Sequence, residues 1–288
     1  MWGPEEELHR AEGGNVATFK DGRERDAVFV EQAHVGPMMG FGVLEPIPSR
    51  NFPYELVDPF ILVHEASMEV NEDLAGLDTK HQHRGFDNLW YLISGTASTG
   101  HTTGPGGSTE RVQLQPGALL KIRTGRGVWH AESIGEDEVR EGKGGSIFRG
   151  VLFWVNLARK DKHVDPTAQV LTPAEVPERR EGDAIVRVLV GEGSPVELGT
   201  PGLILDVQLP DGGTFSNEVP AEFNGFVYFL EGEADVGSSK QHVGTPQTAV
   251  LGPGDTVTVQ NAIPGTRFML FAGKPYGEQP IYNGPYVD

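Results

Sequence analysis

The chain contains no cysteine. Disulfides, thiolate zinc sites, iron–sulfur clusters and cysteine nucleophiles are therefore excluded. It also lacks any apolar run long enough to span a membrane. The opening residues Met1-Trp2-Gly3-Pro4-Glu5-Glu6-Glu7 are acidic, where a secretory signal would begin basic and then turn apolar. The expected location is the cytoplasm. Positive charge is scarce as well, with 23 Lys and Arg against 41 Asp and Glu and a formal net charge of −18. Phosphate backbones repel such a surface, and Arg179-Arg180 is flanked by acids, so direct binding to nucleic acid is not expected.

What the chain does have is turn-forming residues, 39 Gly and 21 Pro in 288, with 38% hydrophobic residues. That composition predicts a compact all-β protein. The chain also repeats itself weakly. Asn88-Leu89-Trp90-Tyr91-Leu92-Ile93-Ser94-Gly95 resembles Gly225-Phe226-Val227-Tyr228-Phe229-Leu230-Glu231-Gly232, and Pro116-Gly117 resembles Pro253-Gly254. Gly95 and Gly232 are separated by the same offset as Pro116 and Pro253, which argues for a duplicated unit. Runs such as Leu89 to Ile93 are apolar on both faces, as strands buried on both sides are. Two tandem units are expected, each closed as a small double-sheet barrel. The predicted division is a frayed end over 1–14, a first unit over 15–160, an ordered connector over 161–182 with a helical turn near Pro173, and a second unit over 183–288.

The sharpest chemical signal is a pair of short motifs. His81-Gln82-His83 and His130-Ala131-Glu132 each place two metal-type side chains at i and i+2. On a strand those positions share a face, so two neighbouring strands would aim four donors into one cavity. Three imidazoles and a carboxylate suit one first-row divalent ion, such as Fe, Cu, Zn, Ni or Mn. At the repeat offset His130 falls on Arg267 and Glu132 on Met269, while His81 and His83 fall on Glu218 and Pro220. The second unit keeps the frame without the ligands, and one ion per chain is expected. Asp58 is expected to be a turn or hydrogen-bonding residue. Among the remaining histidines, His9 and His163 are expected in solvent, His34 and His242 on loops, and His101 in a turn-like segment, with an approach to the pocket as its alternative. His64 is expected as a hydrogen-bonded residue beside the Phe60–Val63 strand. Phe86, Trp90, Trp129 and Phe153 are expected in the core, with one of them at the pocket mouth as the alternative. Gly125 and Gly127 flank Arg126 without the Lys-Ser/Thr of a phosphate loop, so they are expected to be backbone bends.

Asp58-Pro59-Phe60, the His81 to Phe86 stretch, the Gly125 to Glu132 stretch, Trp154-Val155-Asn156-Leu157 and the closing Asn283-Gly284-Pro285-Tyr286-Val287 together resemble the pirin family of bicupins. The resemblance covers nearly the whole chain, from about Asn15 onward. It implies two tandem cupin (double-stranded β-helix, or jelly-roll) barrels, with His81, His83, His130 and Glu132 on one ion, iron(II) first among the candidates. Some pirins cleave flavonols such as quercetin with dioxygen. The resemblance thus implies a small aromatic substrate, dioxygen, and Glu132 as the base that takes the flavonol 3-hydroxyl proton. Pirins also act as metal- and redox-dependent interaction proteins, which implies a protein partner as the alternative. A monomer or weak dimer is expected. The chain departs from the family pattern in having Asp87 for a usual Glu, His64 before Glu65 where an acid is usual, and a longer Gly104 to Ser108 segment.

Overall fold

The computed structural model describes residues 23–288 apart from 39, 40, 78 and 143; the expected frayed end and His9 lie outside them. The first half forms β1 (Ala27–Gln32), β2 (His34–Met38), β3 (Phe41–Ile47), β4 (Phe60–Glu69), β5 (His81–His83) and β6 (Phe86–Ser94). It continues with β7 (Ala97–His101), β8 (Glu110–Leu114), β9 (Leu119–Arg123), β10 (Val128–Ile134), β11 (Ile147–Asn156) and β12 (Thr167–Leu171). The second half forms β13 (Glu178–Glu181), β14 (Ala184–Val190), β15 (Gly202–Leu209), β16 (Gly213–Glu218) and β17 (Asn224–Glu231). Then come β18 (Glu233–Val236), β19 (Gln241–Gly244), β20 (Gln247–Leu251), β21 (Thr256–Ala262) and β22 (Thr266–Gly273). The tail adds the short pair β23 (Tyr282–Asn283) and β24 (Tyr286–Val287).

Each unit pairs a seven-stranded with a four-stranded antiparallel sheet. The first unit has the orders β12-β9-β6-β11-β4-β3-β2 and β5-β10-β7-β8; the second has β1-β20-β17-β22-β15-β14-β13 and β16-β21-β18-β19. Strand pairing departs from the linear division in two places. β1 leaves the first unit and pairs with β20 of the second. The connector is largely strand: β12 joins β9 of the first unit and β13 joins β14 of the second, with a turn closed by Glu175 N–H on the Thr172 carbonyl. No helix among the described residues is long and apolar enough to cross a membrane.

The doubly apolar strands have a specific cause. In β6, Trp90 and Leu92 pack inside the first barrel, while Leu89 and Tyr91 face the second unit. In β17, Val227 and Phe229 fill the second barrel, while Phe226, Tyr228 and Leu230 face the first. The two large sheets thus share one core between them. At its margins the repeat makes a reciprocal clasp. Tyr91 Oη donates to Asp206 Oδ2 at 2.7 Å, and Arg267 grips both oxygens of that carboxylate at 2.8 and 2.7 Å. Tyr228 Oη donates to Glu65 Oε2 at 2.6 Å, and Arg149 Nε holds the other oxygen at 2.7 Å. Each tyrosine crosses to an acid–arginine pair on the opposite barrel.

The tail returns to the first barrel. Val287 N–H donates to the Arg84 carbonyl at 2.9 Å, and Val287 is buried against Ile61 and Phe86. Gly85 has φ +93°, and a Cβ there would sit 1.8 Å from the Val287 carbonyl oxygen, so only glycine admits this approach. Arg84 holds Asp288 through two hydrogen bonds of 2.6 and 2.7 Å.

Candidate metal centre

The two motifs lie on adjacent strands. β5 pairs antiparallel with β10, setting His81 opposite His130 and His83 opposite Val128. Alternation turns His81, His83 and His130 inward and Gln82 and Trp129 outward. The three rings converge: His81 Nε2 is 2.9 Å from His83 Nε2 and 2.8 Å from His130 Nε2. Phe86 and Trp154 pack against the edge of His83, with ring centroids 5.2 and 5.0 Å away.

The protonation pattern suits a cation. His81 Nδ1 donates to the Thr79 carbonyl, which can only accept, so its Nε2 is a bare lone pair aimed at the other two rings. Burial pulls the His83 ring down to about 3, with His81 adding to the effect, and burial with the neighbouring rings holds His130 well below its ordinary value. Burial likewise lowers His81. Three neutral imidazoles facing one another have too few protons to satisfy their convergent nitrogens, and a divalent ion satisfies all three. A metal–nitrogen bond of about 2.1 Å puts neighbouring nitrogens at a right angle about 2.9 Å apart, as observed for His81 with its two neighbours. The donor set therefore suits a divalent transition metal.

Glu132 stands outside this tight group. Its Oε1 is 3.7 Å from His130 Nδ1, on the far side of that ring from the convergent nitrogens. Its backbone N–H donates to Thr79 Oγ1 at 2.6 Å, and the Thr79 hydroxyl donates back to its carbonyl. Burial pushes the Glu132 carboxyl up to about 7. Asp87 does not join the histidines: Arg123 grips both its oxygens at 2.9 and 3.0 Å, and Gly199 N–H donates to it at 2.9 Å. It ties the first barrel to the segment between β14 and β15.

Several sequence expectations need correction. His101 is not in a turn; it ends β7 directly opposite His130, is 1% exposed, and keeps Nε2 without a hydrogen-bond partner. His34 and His242 begin or lie within strands instead of loops. Trp129 is not core: it is 45% exposed, beneath Lys80 Nζ at 5.3 Å, and lines an outer groove of about 310 Å³ with Ser98 and Arg111. Its outward place follows from alternation with inward His130, a signal already present in the sequence. Sequence reasoning also missed that Tyr286 Oη donates to Gln82, the residue between the two first-motif histidines. Asp58 does bond as expected, accepting from Tyr54 Oη at 2.9 Å and Gly277 N–H at 2.7 Å.

Two tandem cupin barrels, the first carrying three convergent imidazoles, make this a bicupin with a candidate metal centre. Residues 44–155 match the family model described as Pirin, and residues 204–288 match that of the Pirin C-terminal cupin domain. Pirin of Rattus norvegicus is 33% identical over 240 residues, covering 81% of this chain and 77% of the relative. The chain belongs to the pirin family. Among solved structures, a quercetin 2,3-dioxygenase from Acinetobacter baumannii shares the fold at a TM-score of 0.78 and 23% identity, covering 92% of each chain. The nickel(II) complex of the bacterial pirin YhhW from Escherichia coli gives 0.62 at 13% identity, covering 86% of this chain and 99% of that one.

Proposed function

We propose that the protein is a cytoplasmic, metal-dependent dioxygenase that cleaves flavonols of the quercetin type. The observation carrying this reading is the convergence of three Nε2 atoms inside the first barrel, that of His81 a bare lone pair. The shared fold with a quercetin 2,3-dioxygenase supports the substrate class. His81, His83 and His130 hold the ion, and Glu132 serves as a further ligand or as the base for the flavonol 3-hydroxyl. Iron(II) is the first metal to test, with Cu, Zn, Ni and Mn as alternatives that the same donors accept. When bound, the ion supplies Lewis acidity toward the hydroxyl and a place for dioxygen. The protein's own part is to keep three rings neutral by burial and, through the Thr79 carbonyl, to fix the His81 tautomer. Glu132, raised to about 7 before metal and substrate arrive, is poised to exchange a proton near neutral pH.

The cavity that Glu132 borders inside the barrel is about 30 Å³, with Met38, Trp90, Phe148 and Leu152 among its walls. His130 and Glu132 also line the outer groove of about 310 Å³ beside Trp129 and Arg111, which reaches the size usual for small-molecule pockets, about 300 Å³ or more. The link from Gln82 to Tyr286 in the tail favours a second reading. In it a change of ion charge at His81 and His83 shifts the tail and so alters affinity for a protein partner. The deciding experiment is dioxygen uptake with quercetin by the iron(II)-loaded protein beside His130→Ala. Uptake with ring cleavage in the parent alone is expected. No uptake by a parent preparation with one bound iron per chain would turn the assignment to the partner-binding reading.

A further inference from the structure

One buried imidazole beside the convergent cluster takes no part in it. His101 ends β7, whose inward face carries Ala97, Thr99 and His101, while Ser98 and Gly100 face outward. Strand register sets His101 opposite His130 and Thr99 opposite Glu132. Directly opposite residues of an antiparallel pair have Cβ atoms about 5 Å apart. The His101 ring is near enough to add to the lowering of the His130 proton affinity.

Hydrogen bonding at one end of the ring fixes its tautomer. The Thr103 hydroxyl donates to Glu110 Oε2 at 3.0 Å, and an ionised carboxylate can only accept. With that proton committed, Thr103 Oγ1 accepts from His101 Nδ1 at 2.8 Å. The neutral ring therefore carries its proton on Nδ1, and Nε2 is a lone pair. The side chain is 1% exposed, and Nε2 has no hydrogen-bond partner among the described residues. A second proton there would be buried without an acceptor among them, so the ring stays neutral. Thr99 Oγ1, on the same face, is likewise buried and unpartnered among the described residues. A buried acceptor and a buried hydroxyl on one face suit a small group that both donates and accepts, as an O–H does. His101 also lies outside the three residues whose nitrogens converge. It is placed to act on what an ion binds, not on the ion.

We propose that His101 is a positioning residue of the metal centre, its Nε2 accepting the hydrogen bond of a hydroxyl held beside His130. In the resting protein that hydroxyl is water's. The flavonol 3-hydroxyl takes the same place when substrate arrives, and this half of the proposal rests on the dioxygenase reading. Thr103 and Glu110 keep the ring in its accepting tautomer. Holding the hydroxyl by an oriented lone pair fixes the direction of its O–H bond, which apolar walls cannot do.

Two measurements separate the halves. The first is nitrogen-15 NMR of the imidazoles in the full-length, zinc-loaded protein. A neutral His101 with Nδ1–H is expected, its Nε2 resonance displaced from the free lone-pair position by an accepted hydrogen bond. Zinc removal is expected to return that resonance to the free position, and Thr103→Val to abolish the tautomer preference. An Nε2–H tautomer, a free or zinc-bound Nε2 in the loaded protein, or a displacement that persists without zinc would overturn the assignment. The second is binding of 3-hydroxyflavone, and of flavone without the hydroxyl, to the zinc-loaded protein. His101→Leu is expected to weaken 3-hydroxyflavone about ten-fold, with flavone affinity and zinc content unchanged. His101→Gln, which keeps an acceptor, is expected to recover most of that loss. Equal weakening of both compounds, or of neither, would remove His101 from substrate positioning. A parent protein that binds the two alike would reject the flavonol reading and leave the water-accepting role to the NMR result.

Discussion

At the scale of residues, burial sets the chemistry of the first barrel. His64, His81, His83, His101 and His130 all have proton affinities lowered chiefly by desolvation. A base whose folded value lies below its unfolded value of about 6.5 binds more protons when unfolded, so its neutral burial stabilises fully above pH 6.5 and is lost as pH falls below it. For His83 the loss extends down to about pH 3. Glu132, raised from 4.5 to about 7, acts in the opposite sense between those values, but it is one group against five. The metal-free protein is therefore expected to lose stability on acidification from pH 6.5 toward 4. Zinc in excess is expected to move that loss to lower pH, because an ion bound to neutral rings favours the folded state. Chemical denaturation across this pH range, with and without zinc, checks both. A metal-free midpoint that does not fall would mean the rings are not held neutral. His83→Ala is expected to reduce bound metal by at least about ten-fold, measured by metal analysis after dialysis.

At the scale of elements, the repeat appears as a reciprocal clasp. Tyr91 and Tyr228 occupy equivalent places in β6 and β17, and each donates to a buried carboxylate on the other barrel. Tyr228→Phe removes the donor and leaves one oxygen of Glu65 short of a partner, although Arg149 still holds the other. A loss of about 1–3 kcal/mol is expected, and Tyr91→Phe should cost a similar amount. The double substitution should be close to additive if the two clasps act independently. Denaturant midpoints for the two single variants and the double variant measure this. Much at this scale was legible: the His-x-His and His-x-Glu spacings required strands, and the strands occur. The connector was less legible, because Pro173 and Pro177 bracket a turn whose flanking strands are fixed by partners far away in sequence, β9 and β14. The strand placement of His34 and His101 was missed for the same reason, since nothing local shows that a histidine at a strand end will be buried or paired.

At the scale of the molecule, the barrels exchange their ends. β1 completes the second barrel's large sheet, while Tyr286 and Val287 close against the first barrel at Gln82, Arg84 and Phe86. Between them, one core takes Leu89, Tyr91 and Phe153 from one side and Phe226, Tyr228 and Phe271 from the other. A chain cut in the turn near Pro173 should consequently give two fragments that do not fold separately, since each lacks an end and exposes half of that core. Co-expressed, the fragments are expected to copurify with a single cooperative unfolding transition. Two independently folded fragments, each with its own sharp transition, would contradict the shared core.

The sequence by itself determined the all-β duplicated frame and the absence of thiolate chemistry. It also determined that His81 shares a face with His83 and His130 a face with Glu132, because alternation along a strand is a local rule that spacing alone satisfies. Tertiary structure decided what spacing cannot encode. It set Glu132 beside His130 and outside the imidazole cluster, buried His101 across from His130, and joined His64 through Glu45 to a solvent-facing His34. It also carried β1 and the tail each to the opposite barrel. Those outcomes depend on which strands become neighbours, and strand neighbours are chosen by burial of the whole apolar surface, not by any stretch of residues read alone.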